Sequence, residues 1–187
     1  MIRFLPSSAW TKPCAGLLLC FVASVPCMSD WEAAAASVEV WYAPEDEPLR
    51  RVVQIYDHAT QYIFIAVYGL TSPLAVKALV EAKKRGIDVR VITDRVRLHD
   101  AKQHTAVSTL REAGIPIKVN QHESLMHLKQ VVVDDEVNTN GSMNHTTSGN
   151  RYNDERLDVI RDPAITIKAR EKFLSMWKDE RRFSDWK

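Results

Sequence analysis

The segment from His127 to Asn144 constrains this chain more than any other. It reads His127-Leu-Lys129, then Asp134 after four further residues, then Gly141-Ser142-Met143-Asn144 after six more. Residues 129–134 are Lys-Gln-Val-Val-Val-Asp, the β-branched, apolar composition of a buried strand. Residues two apart on a strand share a face, so His127 and Lys129 are expected to point together and Asp134 the other way. A nucleophilic imidazole beside a fixed ammonium suits chemistry at phosphorus. Gly141 permits a tight turn and close backbone approach, after which Ser142 and Asn144 offer neutral donors to phosphate oxygens. A lysine on a buried strand face is costly unless it serves the chemistry, which argues against His127 as an ordinary core histidine.

From residue 37 onward strands and helices alternate. Residues 38–42, 62–68, 88–92, 115–119, 129–134 and 156–160 read as strands, with 62–68 apolar throughout and suited to the centre of a sheet. Helices are expected from Pro48 with Leu49, Val52, Val53 and Tyr56 on one face, and from Pro73 to Lys84 with Ser72 as cap and Gly86 as stop. A third covers about 100–113, and a fourth starts at Pro163 and carries Ile167, Phe173, Leu174 and Trp177. This alternation predicts one domain, residues 37–187, with the fold class α/β: a sandwich whose mixed, mostly buried sheet is flanked by helices.

The first residues have a different character. Arg3 and Lys12 precede an apolar stretch, 15–25, of the length of a signal-peptide core and too short to span a bilayer. Residues 1–27 are expected to be a cleaved signal peptide, cut after Cys27 or at the latest by residue 36, giving an exported protein, periplasmic or secreted. Cys14, Cys20 and Cys27 all fall within it, so the remainder has neither a disulfide framework nor a thiolate metal site. The formal charge of +1 becomes −1 once Arg3 and Lys12 are lost. Net charge therefore does not argue for nucleic acid, and any basic surface must be local. Lys83, Lys84 and Arg85 with Arg90, Arg95 and Arg97 are the candidates, although a helix C-terminus favours the first three for its own sake.

With the pattern H-x-K-x4-D-x6-G-S-x-x-N, the chain resembles the phospholipase D superfamily, in particular its small single-motif branch of exported bacterial endonucleases. The likeness extends to Val-Glu-Val-Trp-Tyr-Ala-Pro-Glu at 38–45, to 78–91 and to 173–177. Two departures are mild: His145 stands where the family has an aromatic, and Asn138-Thr-Asn140 is polar before the glycine. The resemblance implies a covalent phosphohistidine on His127, hydrolysed by water, with a second histidine protonating the leaving oxygen. Lys129 and Asn144 would hold the phosphate, helped by Ser142, and Glu155 would orient the imidazole. Asp134 belongs to the motif, but its strand face favours a structural role. No second copy of the motif exists, since His58, His99, His104, His122 and His145 all lack a lysine two residues on. Both the chemistry and the resemblance then imply a homodimer with the active site on its two-fold axis.

Competing motifs dissolve on inspection. His122-Glu123 with His127 misses the zincin spacing by one residue, and His99 and His104 are five apart, so no metal and no other cofactor is expected. Ser142 lacks a G-x-S-x-G elbow. The expected function is a metal-independent phosphodiesterase, a non-specific endonuclease acting on nucleic acid. The alternative is phospholipase D activity on membrane phospholipid with the same residues. A catalytically dead exported binding module is disfavoured by the intact His127, Lys129 and Asn144. Against lipid, no amphipathic segment or long apolar loop is available for an acyl chain.

Overall fold

The computed structural model describes residues 35–187. The expected signal segment, 1–27, lies outside them. Eight strands form one mixed sheet: β1 Ser37–Ala43, β2 Tyr62–Val67, β3 Asp88–Thr93, β4 Ile117–Asn120, β5 Lys129–Val133, β6 Val137–Gly141, β7 Glu155–Arg161 and β8 Phe183–Asp185. Their order across the sheet is β1-β7-β6-β5-β2-β3-β4-β8. Strands β2, β3 and β4 run parallel, and β5 joins β2 antiparallel, with Lys129 opposite Val67.

Helices cover both faces, as an α/β chain requires. They are α1 Pro48–His58, α2 Pro73–Lys84, α3 Ala101–Glu112, the short α4 Thr147–Arg151 and α5 Pro163–Lys178. Strand β2 shows why. Its Ile63, Ile65 and Val67 enter a core with Leu49 and Val52 of α1, Leu79 of α2 and Val107 of α3. Phe64 and Ala66, on the opposite face, pack with Phe173 and Met176 of α5. An unbroken apolar run is what a strand buried on both sides needs.

The helix signals act largely as expected. Pro48, Pro73 and Pro163 open α1, α2 and α5, and Asp162 caps α5 by accepting from Ile165 N at 3.1 Å. Asp100 caps α3 through Lys102 N and Gln103 N. Ser72 differs from expectation, because its hydroxyl makes no capping bond to α2.

Two strands escape the sequence pattern. Strand β6 reads Val-Asn-Thr-Asn-Gly, yet Asn138 and Thr139 are buried. Asn138 Nδ2 donates to Thr166 Oγ1 of α5 at 3.0 Å, and Thr139 Oγ1 accepts from Val131 N at 3.2 Å. A polar strand is stable here because the tertiary structure supplies its partners. Strand β8 is only three residues long and is created by its pairing with β4.

Candidate active site

Sheet topology gathers the motif. Strands β2 and β6 end, and β5 and β7 begin, at the same sheet edge: Val67 lies opposite Lys129, and Gly141 opposite Leu157. Tyr68, His127, Lys129, Ser142 and Glu155 therefore meet there, where open α/β sheets bind ligands.

Lys129 is the first residue of β5 and is buried, 8 % exposed. Its Nζ lies 3.1 Å from His127 Nδ1 and donates to the His127 main-chain oxygen at 2.9 Å. An ammonium only donates, so Nδ1 accepts, and a neutral His127 in this arrangement carries its proton on Nε2. Burial pushes the Lys129 ammonium below the usual lysine range, while the Glu155 carboxylate acts in the opposite direction. The Tyr68 ring lies 4.7 Å from the His127 ring and 5.3 Å from Lys129 Nζ. An aromatic face at these distances favours cationic neighbours.

His127 itself is exposed, in the connection before β5. Two buried side chains fix that connection. Asp94 Oδ2 accepts from Met126 N at 2.7 Å, and Asn120 Nδ2 donates to Ser124 O at 2.9 Å. Leu128 O accepts from Tyr68 N at 2.9 Å on the other side. Sequence reasoning missed Asp94 and Asn120; the available signal was a polar residue closing each of two apolar strands.

Asn144 is placed by a single bond, its Oδ1 accepting from Gly69 N at 2.9 Å. That commits the carbonyl and leaves the amide NH2 as the group able to meet a phosphate oxygen. Gly69 has little room for anything larger, since an added Cβ would lie 3.3 Å from the Asn144 side chain. Gly141 has φ 142°, and a Cβ there would come within 2.1 Å of Arg156 O, so the turn demands glycine.

Two expected contacts, Ser142 to phosphate and Glu155 to His127, are replaced by others, and Asp134 stands apart from the site. Ser142 Oγ donates to Glu155 and accepts from Arg156 N at 3.1 Å, so its proton is directed at a carboxylate and not at a phosphate. Glu155 also accepts from Asn153 Nδ2 at 3.0 Å; among the described residues its partners are Ser142 and Asn153, and the expected bond to His127 is absent. Asp134 sits at the far end of β5 from Lys129, with φ 54° in the turn to β6. Its carboxylate accepts from Thr60 N (2.6 Å), Thr60 Oγ1 (3.0 Å), Gln61 N (2.9 Å) and Tyr62 N (2.8 Å), tying that turn to β2. Desolvation pushes the Asp134 carboxyl up, but the three backbone N–H groups and Thr60 outweigh it and hold it below the usual range. It is a structural clamp.

Other titratable groups sort in the same way. His145 is 1 % exposed, 3.2 Å from Tyr56 Oη through Nδ1, and burial pushes its imidazole down to about 4. His104 and His122 lie edge-on to Trp186 and Phe183. The basic residues do not form one track. Arg85 donates to Tyr56 O at 2.7 Å, Lys84 pairs with Glu81, and Arg90 pairs with Asp88 while lying over Phe64 and Trp177. Arg97 alone of these reaches the site, its Cζ 5.6 Å from the Tyr68 ring centre. Among the described residues, no three His, Cys, Asp or Glu side chains converge as a ligand set.

Residues 52–177 match the family model described as cardiolipin synthase, PLD-like domain. The chain belongs to the phospholipase D superfamily. It is accordingly a phosphodiester hydrolase, and its mixed α/β sheet is the phospholipase D-like fold. Nuc from Salmonella typhimurium, a phospholipase D family member, is similar at 29 % identity and TM-score 0.76, over 82 % of this chain and 99 % of that one. A phospholipase D of Rickettsia prowazekii is 26 % identical over 78 % of this chain and 68 % of its own length. A mitochondrial cardiolipin hydrolase of Xenopus laevis is 32 % identical over 70 % of this chain and 60 % of its own. NucT from Helicobacter pylori shares the fold at 21 % identity, with TM-score 0.72 over 77 % of this chain and 97 % of that one.

Proposed function

We propose that this phospholipase D superfamily member is an exported, metal-independent endonuclease, periplasmic or secreted, that works as a homodimer. The observation carrying this reading is the single His127–Lys129 pair at the sheet edge, with the Lys129 ammonium 3.1 Å from the imidazole. Displacement at phosphorus needs a nucleophile and an acid, and the chain brings one exposed imidazole to this edge. Two copies around a two-fold axis supply both. Leu125 and Leu128, flanking His127 and 48 % and 37 % exposed, are the apolar rim such a contact would cover.

In this mechanism one His127 attacks phosphorus through Nε2, forming an N–P bond as the P–O bond to the leaving group breaks. The partner subunit's His127 gives its Nε2 proton to the departing oxygen. Water then attacks the phosphohistidine, passing a proton to the imidazole that has just lost one, and the N–P bond breaks. Lys129 and the Asn144 amide from each copy neutralise the non-bridging oxygens as charge builds. Attack through Nε2 requires the other tautomer, so Lys129 gives up its bond to Nδ1 and turns to the phosphate; the Glu155 carboxylate, whose charge acts on Lys129, is the acceptor assigned to the Nδ1–H that results.

Nucleic acid is favoured over phospholipid because the opening beside the site carries Arg97, Lys102 and several Thr and Ser hydroxyls, while its apolar lining, Tyr68, Pro73, Val76, Ala101 and Ala106, includes no Leu, Ile or Phe to take up an acyl chain. The phospholipid reading draws on the relatives named phospholipase D and cardiolipin hydrolase. Purified protein in EDTA, offered plasmid DNA, RNA and phosphatidylcholine vesicles separately, distinguishes them. Cleavage of a polynucleotide is expected. Head-group release with both nucleic acids intact would overturn the endonuclease reading.

A further inference from the structure

A groove of about 890 Å³ leads away from the catalytic edge. It is lined by Tyr68, Gly69 and Asn144 at that edge, by residues of α3 and α4, and by Pro73 and Val76 of α2. Thr105 and Thr109 of α3 and Thr147 and Ser148 of α4 line it with hydroxyls, beside Ala101, Ala106, Lys102 and the Asp100 carboxylate. Arg97 also lines it, over the same Tyr68 ring that packs on His127.

Arg97 is incompletely satisfied. Its Nε is buried without a hydrogen-bond partner. Its terminal nitrogen makes a loose ion pair with Asp100 Oδ2 at 3.8 Å, beyond hydrogen-bond reach, while Asp100 Oδ1 caps α3. A guanidinium presents a planar fork of donors matched to phosphate oxygens, and a buried N–H without an acceptor is costly. The first turn of α2, whose Pro73 and Val76 line the groove, holds no acidic residue and no side-chain cap, and the one carboxylate in the lining is Asp100, already paired with Arg97.

We infer that this groove is the subsite for the nucleotide next to the scissile bond, with Arg97 binding the neighbouring, uncleaved phosphate. The inference rests on the endonuclease reading and adds to it a means of telling a polynucleotide from a lone phosphodiester. The chemistry fits on three counts. The volume admits a nucleotide, the lining hydroxyls suit sugar and base edges, and Arg97, a guanidinium with an unpartnered Nε, lies over the same Tyr68 ring that packs on His127.

The test compares three substrates: a single-stranded oligonucleotide, bis(p-nitrophenyl) phosphate with its one phosphate, and cardiolipin vesicles, whose two phosphates are bridged by glycerol. Arg97→Ala should lower the ratio of kcat/KM on the oligonucleotide to that on bis(p-nitrophenyl) phosphate by about 10- to 100-fold. It should also reduce the salt dependence of oligonucleotide binding by about one phosphate contact. Thr105→Trp, which fills the groove from the exposed face of α3, should lower the same ratio with Arg97 intact. An equal loss on oligonucleotide and small diester would overturn the subsite and leave the endonuclease standing, with Arg97 acting on His127 through Tyr68. No change in the ratio would overturn it as well. A selective loss on cardiolipin would reassign the groove to a lipid head group, and a wild-type protein that leaves every nucleic acid intact would remove the endonuclease reading itself.

Discussion

Lys129 Nζ bridges two atoms of His127, its Nδ1 at 3.1 Å and its main-chain oxygen at 2.9 Å. The ammonium thus fixes the imidazole and the backbone that carries it, and a buried cation is held where a phosphate must arrive. Position and charge come from one side chain, so Lys129 is not replaceable by a cation of different reach.

His127→Ala is expected to reduce turnover by at least about 10³-fold with little effect on thermal stability, since His127 is exposed. Equal amounts of wild-type and His127→Ala subunits, allowed to exchange, should retain about a quarter of the activity, the share of wild-type dimers under random pairing. Retention of about half would mean that each chain acts alone.

The alkaline limb of the pH–rate profile should fall below the ordinary lysine value, because burial depresses Lys129. Glu155 counteracts that depression, so Glu155→Gln should move the limb to still lower pH, besides slowing the reaction by about 10²–10⁴-fold. Stability should run the other way. Between the lowered folded-state pKa and 10.5 the unfolded chain binds more protons, and the Lys129 contribution rises with pH. An alkaline limb unmoved by Glu155→Gln would disconnect the two groups.

Asp134→Ala should cost about 2–3 kcal/mol of stability, by removing the acceptor of three backbone N–H groups at the β5–β6 turn. Denaturant unfolding measures it. The catalytic rate of the folded variant should stay near wild type, and a large loss of kcat in well-folded protein would return Asp134 to the chemistry.

Asp94→Ala should lower kcat by about 10- to 100-fold and raise KM little, because the carboxylate holds Met126 N, one residue before His127. Steady-state kinetics on bis(p-nitrophenyl) phosphate give the split. A pure KM effect would mean that the loop shapes substrate binding and not the nucleophile.

His145 predicts an acid-side instability. Its folded-state pKa of about 4 lies below the unfolded value of 6.5, so its neutral form is fully favourable above pH 6.5. Stability should be lost as pH falls from 6.5 towards 4, by an amount on the order of 3 kcal/mol. His145→Phe should flatten thermal stability over that range, and an unchanged acid slope would assign the loss to other groups.

The local chemistry of the chain was enough to specify most elements. Proline at the first helical turn marks α1, α2 and α5, apolar runs mark β2 and β5, and the spacing of His127, Lys129 and Asn144 marks the site. Those signals are legible because each depends on residues close together in the chain. Strand β6 was not legible, because the stability of Asn138 and Thr139 in a buried strand depends on Thr166 in α5 and on Val131 in β5. The same holds for Ser142 and Glu155, whose side chains engage each other across the β6–β7 corner, and for the groove that begins at Tyr68. The sequence by itself determined which groups can perform phosphoryl chemistry. Only the tertiary structure decided which of them are free to, because a donor or acceptor is available only if no distant part of the chain has already engaged it.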